Sequence, residues 1–279
     1  MNNIKKSLLL LAAGLMAVVL SESCSGGGNN TDQTQNVDST DVLSTTAYDE
    51  AKYIFYSLPS PVETALILEQ LGIKYNDEYL SPASNVSRYN TQTSQALNLG
   101  IYSADLSFCA LYEQNQAAID YLAAVKKLSE QLGIMGFFND STIQKIQDNM
   151  NNKNKIVSIV SDCYTRSTNF LEEDERNEIA STVLVGGWVE GLYISLKMLE
   201  TLPAEDNNID DIVKNQKFTL DDMLGLLKIF SKNEGIAYLF KQMQQLKTIY
   251  DKVGTNKVDR KVYAQLTEKI TEIRNEYIQ

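Results

Sequence analysis

Histidine is absent from this chain of 279 residues, and cysteine (3), proline (4) and tryptophan (1) are scarce. Without histidine the chain has no Ser-His or Cys-His nucleophile, no histidine general base and no histidine-ligated zinc, haem or copper. Ferritin-like di-iron sites are excluded as well, because they need Glu-x-x-His pairs. The chemistry that remains is that of carboxylates or Ser-Lys pairs, so the sequence predicts no metal and no cofactor.

Basic residues are also few. The chain has 25 Lys and Arg against 36 Asp and Glu, which gives a formal net charge of -11. Because phosphate contacts require a basic face, we expect no nucleic-acid partner. A Gly-rich phosphate loop, a Gly-x-Ser-x-Gly turn and a Ser-x-x-Lys pair are missing too. No enzyme class is therefore indicated by motif.

The first 23 residues have the pattern of a secretory signal. Lys5 and Lys6 form a short basic start, and an apolar run (SLLLLAAGLMAVVL) covers residues 7–20. This run is too short for a retained membrane span. We predict that residues 1–23 are removed and that the mature chain has a net charge of -12.

Cys24 directly follows this signal and resembles the acylated cysteine of bacterial lipoproteins. Ser23 fits the small residue expected before it, whereas Ser21 and Glu22 depart from the usual pattern. The resemblance implies cleavage before Cys24, palmitate-type acylation and attachment to a membrane. Ser25 stands where an Asp would favour the inner membrane, so the implied place is the periplasmic side of the outer membrane. The alternative is ordinary signal cleavage after Ser23, which leaves a secreted protein with a free Cys24.

Residues 24–46 are predicted to be the lipidated cysteine and a flexible tether. They are rich in Gly, Ser, Thr, Asn and Asp and have almost no large apolar groups with which to form a core. A tether of this length has a mean reach of about 25 Å. Residues 47–279 then form the folded body.

The body is predicted to be all-α, a single bundle of roughly nine helices around two apolar central helices. Residues 179–199 (IASTVLVGGWVEGLYISLKML) are apolar on nearly every side, which is typical of a buried helix. Residues 91–112 form a second helix of this kind. The outer segments predicted as helices are residues 47–58, 61–71, 114–132, 141–150, 153–171, 220–230, 236–253 and 257–278. The last of these is predicted to be charged, amphipathic and surface-lying. Residues 205–211 are predicted to be a loop without a metal site, and Thr219 to cap a short helix.

Small residues on the two central helices suggest how these helices pack. Gly100 lies on one of them, and Gly187 and Gly191 lie on the other with helical spacing. Glycine inside a helix costs about 1 kcal/mol, and a close approach of two backbones offsets that cost. Our hypothesis is that the helices cross with these glycines in contact.

Asp105 and Glu190 are lone carboxylates on the central helices. If they are unpartnered and accessible, buried acids of this kind act as general acid and base or bind a cation. The alternative is a structural role, in which each is satisfied by Tyr, Lys or Arg. Cys109 and Cys163 are predicted to be free, buried thiols, because both have apolar neighbours. The alternative is one disulfide between them in an oxidising periplasm. Redox catalysis is not expected, since no Cys-x-x-Cys is present.

Three stretches, residues 56–63 (YSLPSPVE), 99–106 (LGIYSADL) and 185–190 (VGGWVE), resemble a group of uncharacterised helical lipoproteins of Gram-negative bacteria. The resemblance implies an all-helical fold and an envelope location, and it carries no activity. The leading hypothesis is a lipid-anchored protein that faces the periplasm and binds or scaffolds an envelope partner without catalysis. The alternatives are a bundle that binds a small ligand or lipid in a Tyr-lined pocket, and a hydrolase that uses Asp105 and Glu190.

Overall fold

Nine α-helices and two short 3-10 helices make up the regular structure of the part that the computed structural model describes, which is residues 61–134, 139–149, 152–173, 176–202, 207–254 and 257–279. No strand occurs in these ranges. The α-helices are α1 (Pro61–Gln70), α2 (Gln92–Leu111), α3 (Asn115–Gln131), α4 (Asp140–Asp148), α5 (Lys153–Glu173), α6 (Asn177–Leu199), α7 (Asn207–Ile229), α8 (Glu234–Tyr250) and α9 (Arg260–Tyr277). The predicted signal, the tether and the helix over residues 47–58 lie outside the described residues.

Several helix ends follow from local signals in the sequence. Thr91 caps α2, where its hydroxyl accepts a hydrogen bond from the Ser94 amide. Gly72 and Gly133 follow α1 and α3 with φ angles of 70° and 73°. Such left-handed positions favour glycine, and they let the next amide bond back into the last helical turn. The predicted ends of these helices are confirmed to within one or two residues, apart from the start of α1, whose predicted cap lies outside the described residues.

Helices α2 and α6 form the centre of the bundle, as predicted. Residues 96–111 of α2 are all buried, and so are residues 180–196 of α6. The two helices make the most extensive contact in the fold. Since both are apolar on nearly every side, each is enclosed by the other and by the surrounding helices. The all-α bundle around two apolar central helices is confirmed.

The closest approach of α2 and α6 is a contact between backbones. A Cβ atom on Gly100 would lie 2.1 Å from the Val183 carbonyl oxygen and 2.5 Å from the Gly187 amide nitrogen. A Cβ atom on Gly186 would lie 2.0 Å from the Leu97 carbonyl oxygen. No side chain fits at either position, so glycine is required there for the two helices to meet.

Helix α6 is the one described helix long and apolar enough to span a membrane. Its mean hydropathy is 1.4, and 94% of the most apolar window is buried inside the molecule. A core helix meets the same criteria of length and composition as a membrane span. The burial of α6 within the bundle agrees with its predicted place in the core.

Two predictions about the outer helices are wrong. Residues 207–229 form one continuous helix, so residues 207–211 are not a loop and Thr219 caps no helix. Asp210 accepts a hydrogen bond from the Val258 amide at 2.9 Å, which joins the first turn of α7 to the segment before α9. A Thr with two acids after it resembles a cap locally, but the buried face of α7 continues through this position to Leu220 and beyond.

Helix α9 is amphipathic and lies at the surface, as predicted, but its buried face includes a charged residue. Its apolar face is buried against α6 and α8, and Arg274 on that face is only 5% exposed. The members of this face are Val262, Leu266, Ile270, Ile273 and Tyr277. A charged side chain thus enters the core from a helix whose overall composition is that of a surface element.

Candidate functional site

The two carboxylates singled out in the sequence, Asp105 and Glu190, lie next to each other in the core. Asp105 follows Gly100 on α2 by little more than one turn, and Glu190 follows Gly186 on α6 by about one turn. Both side chains are 0% exposed, and the charge of Glu190 adds to burial in raising the pKa of Asp105. The close crossing of the two helices therefore brings this acid pair together.

Arg274 of α9 completes the group, which we call the acid–arginine cluster (Asp105, Glu190 and Arg274). Its Nε and Nη2 atoms donate to the two oxygens of Glu190 at 2.7 and 2.8 Å, a bidentate ion pair. The guanidinium lies 4.2 Å from the centre of the Tyr193 ring, within the range of a cation–π interaction. Burial lowers the pKa of Arg274, but the adjacent carboxylate of Glu190 more than offsets this and raises it. The arginine is charged at every accessible pH.

The surroundings of Asp105 favour its protonated form. Burial raises the pKa of Asp105 well above its usual value, and the charge of Glu190 raises the pKa further. Arg274 and the Ser81 amide act in the opposite sense without cancelling these effects. The other titratable groups that face Asp105 have raised pKa values because they are buried, and they stay neutral: Cys109, Tyr75, Tyr102 and Tyr121.

Only one of the two oxygens of Asp105 has a hydrogen-bond partner in the described part of the chain. Its Oδ2 atom accepts from the Ser81 amide at 3.2 Å, whereas no donor faces Oδ1. The neighbouring Glu190–Arg274 ion pair has no net charge, which limits the cost of burying it.

The two carboxyl groups of the acid–arginine cluster have no access to solvent. Hydrolysis by two carboxylates requires water and substrate to reach both groups. Asp105 and Glu190 are fully buried and are held by protein donors. The geometry matches the structural alternative considered for these acids, and the hydrolase hypothesis gains no observation in its favour.

The cluster contacts an irregular segment between α1 and α2, residues 75–88, which we call the cleft loop. Arg274 donates a hydrogen bond from Nη2 to the Tyr79 carbonyl oxygen at 3.0 Å. Asp105 accepts from the Ser81 amide, as described above. Two of the three cluster residues therefore bind the backbone of this loop.

Two tyrosines hold the same part of the cleft loop. Tyr121 of α3 donates to the Ser81 carbonyl oxygen at 2.8 Å, and Tyr102 of α2 donates to the Pro82 carbonyl oxygen at 3.0 Å. The rings of Tyr102 and Tyr121 are themselves in contact, with centroids 5.9 Å apart. Burial raises the pKa of both tyrosines, so their hydroxyl groups remain neutral donors.

An open cleft of about 650 Å³ lies between the cleft loop and the start of α3. Its charged lining residues are Asp77, Glu113 and Asp120, and no Lys or Arg lines it. Tyr75 and Tyr121 supply aromatic surface. The remaining lining residues are uncharged: Leu80, Pro82, Ala83, Ser84, Gln114, Asn115, Gln116 and Ala117. We call this site the acidic cleft.

The shape of the acidic cleft is fixed by packing beneath it. The Tyr75 ring stacks on Phe108 with centroids 5.5 Å apart, and its hydroxyl hydrogen-bonds the Cys109 sulfur at 3.6 Å. Glu113, between α2 and α3, has a φ of 58°. This is a left-handed conformation that glycine adopts more easily, and it joins the two helices by a tight turn at the edge of the cleft.

The part of the chain that the structure describes has neither a metal-binding group nor a reactive cysteine. No group of three or more Cys, Asp and Glu side chains there could hold a metal ion. Cys109 and Cys163 are free and buried, as predicted. Burial raises the pKa of Cys109 to about 12 and that of Cys163 to about 11, so both stay protonated and weakly nucleophilic.

The remaining residues proposed from the sequence have these positions. Gly100 and Gly187 face each other at the crossing of α2 and α6. Gly191 is buried one turn further along α6, where its carbonyl oxygen accepts from the Ser195 hydroxyl at 2.6 Å. Gly186, which the sequence argument passed over, contacts α2 directly. Cys24 lies outside the described residues.

Sequence reasoning missed Arg274 and the cleft loop. A signal for Arg274 was present, because it follows Ile270 by four residues and Leu266 by eight, which places it on the apolar face of α9. An arginine in such a stripe indicates a buried partner. No comparable signal identifies the cleft loop, since its position depends on hydrogen bonds to residues far away in the sequence.

Fold and site together define an all-α bundle with a buried acid–arginine cluster and an open acidic cleft. No protein-family model, curated protein or solved structure matches the chain. The geometry and charge of the cleft are the features of the molecule that indicate a function.

Proposed function

We propose that the protein is a lipid-anchored envelope protein that binds a cationic segment of a protein partner in the acidic cleft. The observation that supports this is the lining of the cleft, which has three carboxylates, two tyrosines and no basic residue. A site of one charge sign with aromatic walls favours ligands of the opposite sign.

Lys and Arg side chains suit such a cleft in two ways. Their aliphatic stems pack on apolar surface while the charged ends lie near carboxylates. A cation placed over a Tyr ring adds about 0.5–1 kcal/mol at an exposed site. The charge of the whole chain, -11 for the full sequence, also attracts basic partners at long range and increases their rate of association.

The proposed anchor is Cys24, with residues 25–46 as the tether. A mean reach of about 25 Å would let the body meet partners near the membrane without lying on it. Multiple acyl chains on one cysteine give a stable attachment. We propose attachment to the outer membrane, facing the periplasm, and labelling with radioactive palmitate tests the anchor. Label still incorporated by Cys24→Ala would refute acylation at this residue.

Binding can be tested with a fluorescent lysine hexapeptide and measured by anisotropy in 150 mM salt. The triple variant Asp77→Asn/Glu113→Gln/Asp120→Asn should weaken binding by tenfold or more, because it removes all the charge that lines the cleft. The effect should decrease with added salt, as expected for partly exposed charges.

The matched control removes the same charge elsewhere, in a variant with the substitutions Asp211→Asn, Asp222→Asn and Glu234→Gln, all at exposed positions on α7 and α8. It should bind the peptide nearly as well as the native chain. Equal losses in both triple variants would mean that only net charge matters and would refute the cleft as the site. Spermidine that competes with the peptide at equal affinity would instead favour the small-ligand alternative.

A further inference from the structure

The cleft loop has little internal structure of its own. Its two 3-10 helices, Asp77–Tyr79 and Ala83–Arg88, contain no buried residues. Only Leu80 and Ser81, between them, are buried. Six of the residues that line the acidic cleft nevertheless belong to this loop. The shape of the cleft must therefore be fixed by contacts from outside the loop.

Those contacts reach the loop from the core at two places. Asp105 of α2 accepts a hydrogen bond from the Ser81 amide. Arg274 of α9, which is ion-paired with Glu190 of α6, donates to the Tyr79 carbonyl oxygen. The cluster therefore holds the cleft loop at two positions that are two residues apart, and its members come from three different helices.

We propose that the acid–arginine cluster positions the cleft loop and so fixes the shape of the acidic cleft, a role that rests on the proposed binding function of that cleft. The members of the cluster are positioning residues, because none of them lines the cleft. Charge-assisted hydrogen bonds are stronger than neutral ones, which suits a group that holds an otherwise irregular segment.

The role of Asp105 in this cluster depends on its acceptor oxygen. Asn has the same shape as the neutral acid, with an oxygen that can accept from Ser81 and an amide that can donate to Glu190. Leu has a similar volume and has neither group. Asp105→Asn should therefore keep the loop in place, and Asp105→Leu should release it.

A smaller change to the contacts of the cleft loop is Tyr102→Phe, which removes only the hydroxyl that donates to the Pro82 carbonyl oxygen. Tyr102 does not line the cleft. The matched control is Tyr263→Phe, which removes a hydroxyl that donates to the Leu196 carbonyl oxygen far from the cleft loop in sequence. Both changes leave the ring in place, so both variants should fold.

The experiment is amide hydrogen exchange of the full-length protein in detergent, followed by mass spectrometry of peptides that cover residues 75–88 and α6. Loss of one hydrogen bond changes a local opening equilibrium roughly fivefold. Exchange in residues 75–88 should rise by about that factor in Tyr102→Phe and by at least as much in Asp105→Leu. Asp105→Asn and Tyr263→Phe should leave it at the native rate, and α6 should be unchanged in Tyr102→Phe.

The lysine hexapeptide should bind more weakly to Asp105→Leu and Tyr102→Phe than to their controls. Unchanged exchange of residues 75–88 in Asp105→Leu would overturn the positioning role. If Asp105→Leu does not fold, Arg274→Lys replaces it, because it keeps the charge but removes the Nη2 atom that donates to Tyr79, and unchanged exchange in that variant would overturn the role. Faster exchange of residues 75–88 with unchanged affinity for the lysine hexapeptide would overturn the proposed link between the cluster and the shape of the acidic cleft. Failure of the native chain to bind the peptide refutes the proposed function, and the exchange data still decide whether the cluster holds the loop.

Discussion

Replacing Asp105 by Asn should stabilise the protein at neutral pH, although the residue is a fully buried carboxyl in a hydrogen-bonded cluster. In the unfolded chain an Asp loses its proton near pH 3.9. In the native protein burial raises the pKa of Asp105 well above that value, and the charge of Glu190 raises it further. Between these two pKa values the folded chain therefore retains a proton that the unfolded chain releases, and this difference lowers stability.

The sign and size follow from proton linkage. Below about pH 3.9 Asp105 is neutral in both states, and the stability it contributes as a neutral acid is fully present. As pH rises, only the unfolded state loses the proton, so the free energy of unfolding falls by about 1.4 kcal/mol per pH unit. The fall ends where pH passes the native pKa of Asp105. Asn has no proton to lose, so its advantage over Asp should grow with this slope and then level off.

The measurement is urea unfolding of the native chain and of Asp105→Asn at unit steps from pH 4 to pH 8. Trp188, the only tryptophan, is a convenient probe because it lies in the core on α6, 9% exposed. The chain has no histidine, so no histidine titrates in this interval to obscure the slope. At pH 4 the two proteins should have nearly equal stability.

A stability difference that stays constant from pH 4 to pH 8 would refute the reasoning, because it would mean that Asp105 has the same charge in the folded and unfolded states. An Asn variant that is less stable than the native chain at pH 7 would refute it as well. The pH at which the difference levels off gives the native pKa of Asp105 directly.

Three further substitutions test separate parts of the structure. Gly100→Ala places a Cβ atom 2.1 Å from the Val183 carbonyl oxygen. We therefore expect the free energy of unfolding to fall by about 3 kcal/mol and the melting temperature by roughly 10 °C. An unchanged melting temperature would contradict the close crossing. Glu113→Gly removes the strain of a side chain in a left-handed backbone conformation and should raise the free energy of unfolding in urea by about 1 kcal/mol. The control Glu130→Gly, within α3, should lower it by a similar amount. A change of the same sign in both variants would argue against a strained turn. Arg274→Met leaves the buried carboxylate of Glu190 without its partner and should lower the free energy of unfolding in urea by about 3–5 kcal/mol. A decrease below about 1 kcal/mol would contradict the ion pair.

The parts of the fold that sequence predicts well are those with local causes. Gly72 and Gly133 end helices because their backbone conformations favour glycine, and that preference is visible in any sequence. The two central helices are apolar on nearly every side, so their place in the core follows from solvent exclusion alone. Thr219 shows the limit of local evidence, since a sequence typical of a cap is overridden by a buried face that continues through it.

The candidate site was only half predictable for a related reason. Asp105 and Glu190 stand out because they interrupt apolar helices. Their partner Arg274 is one of many charges on α9, and the ion pair joins residues 84 positions apart. The acidic cleft depends on a loop held by distant hydrogen bonds, so its carboxylates could not be grouped from sequence spacing.

The glycine contact between α2 and α6 also determines how tightly one proton is held. Gly100 and Gly186 set the distance between the two helices, and Asp105 and Glu190 project about one turn beyond that contact. A larger residue at the crossing would separate the two carboxyl groups and weaken the effect of the Glu190 charge, which adds to burial in raising the pKa of Asp105. The two glycines, which have no side chains and no charge, thereby act on the acid–base behaviour of the core by controlling a distance.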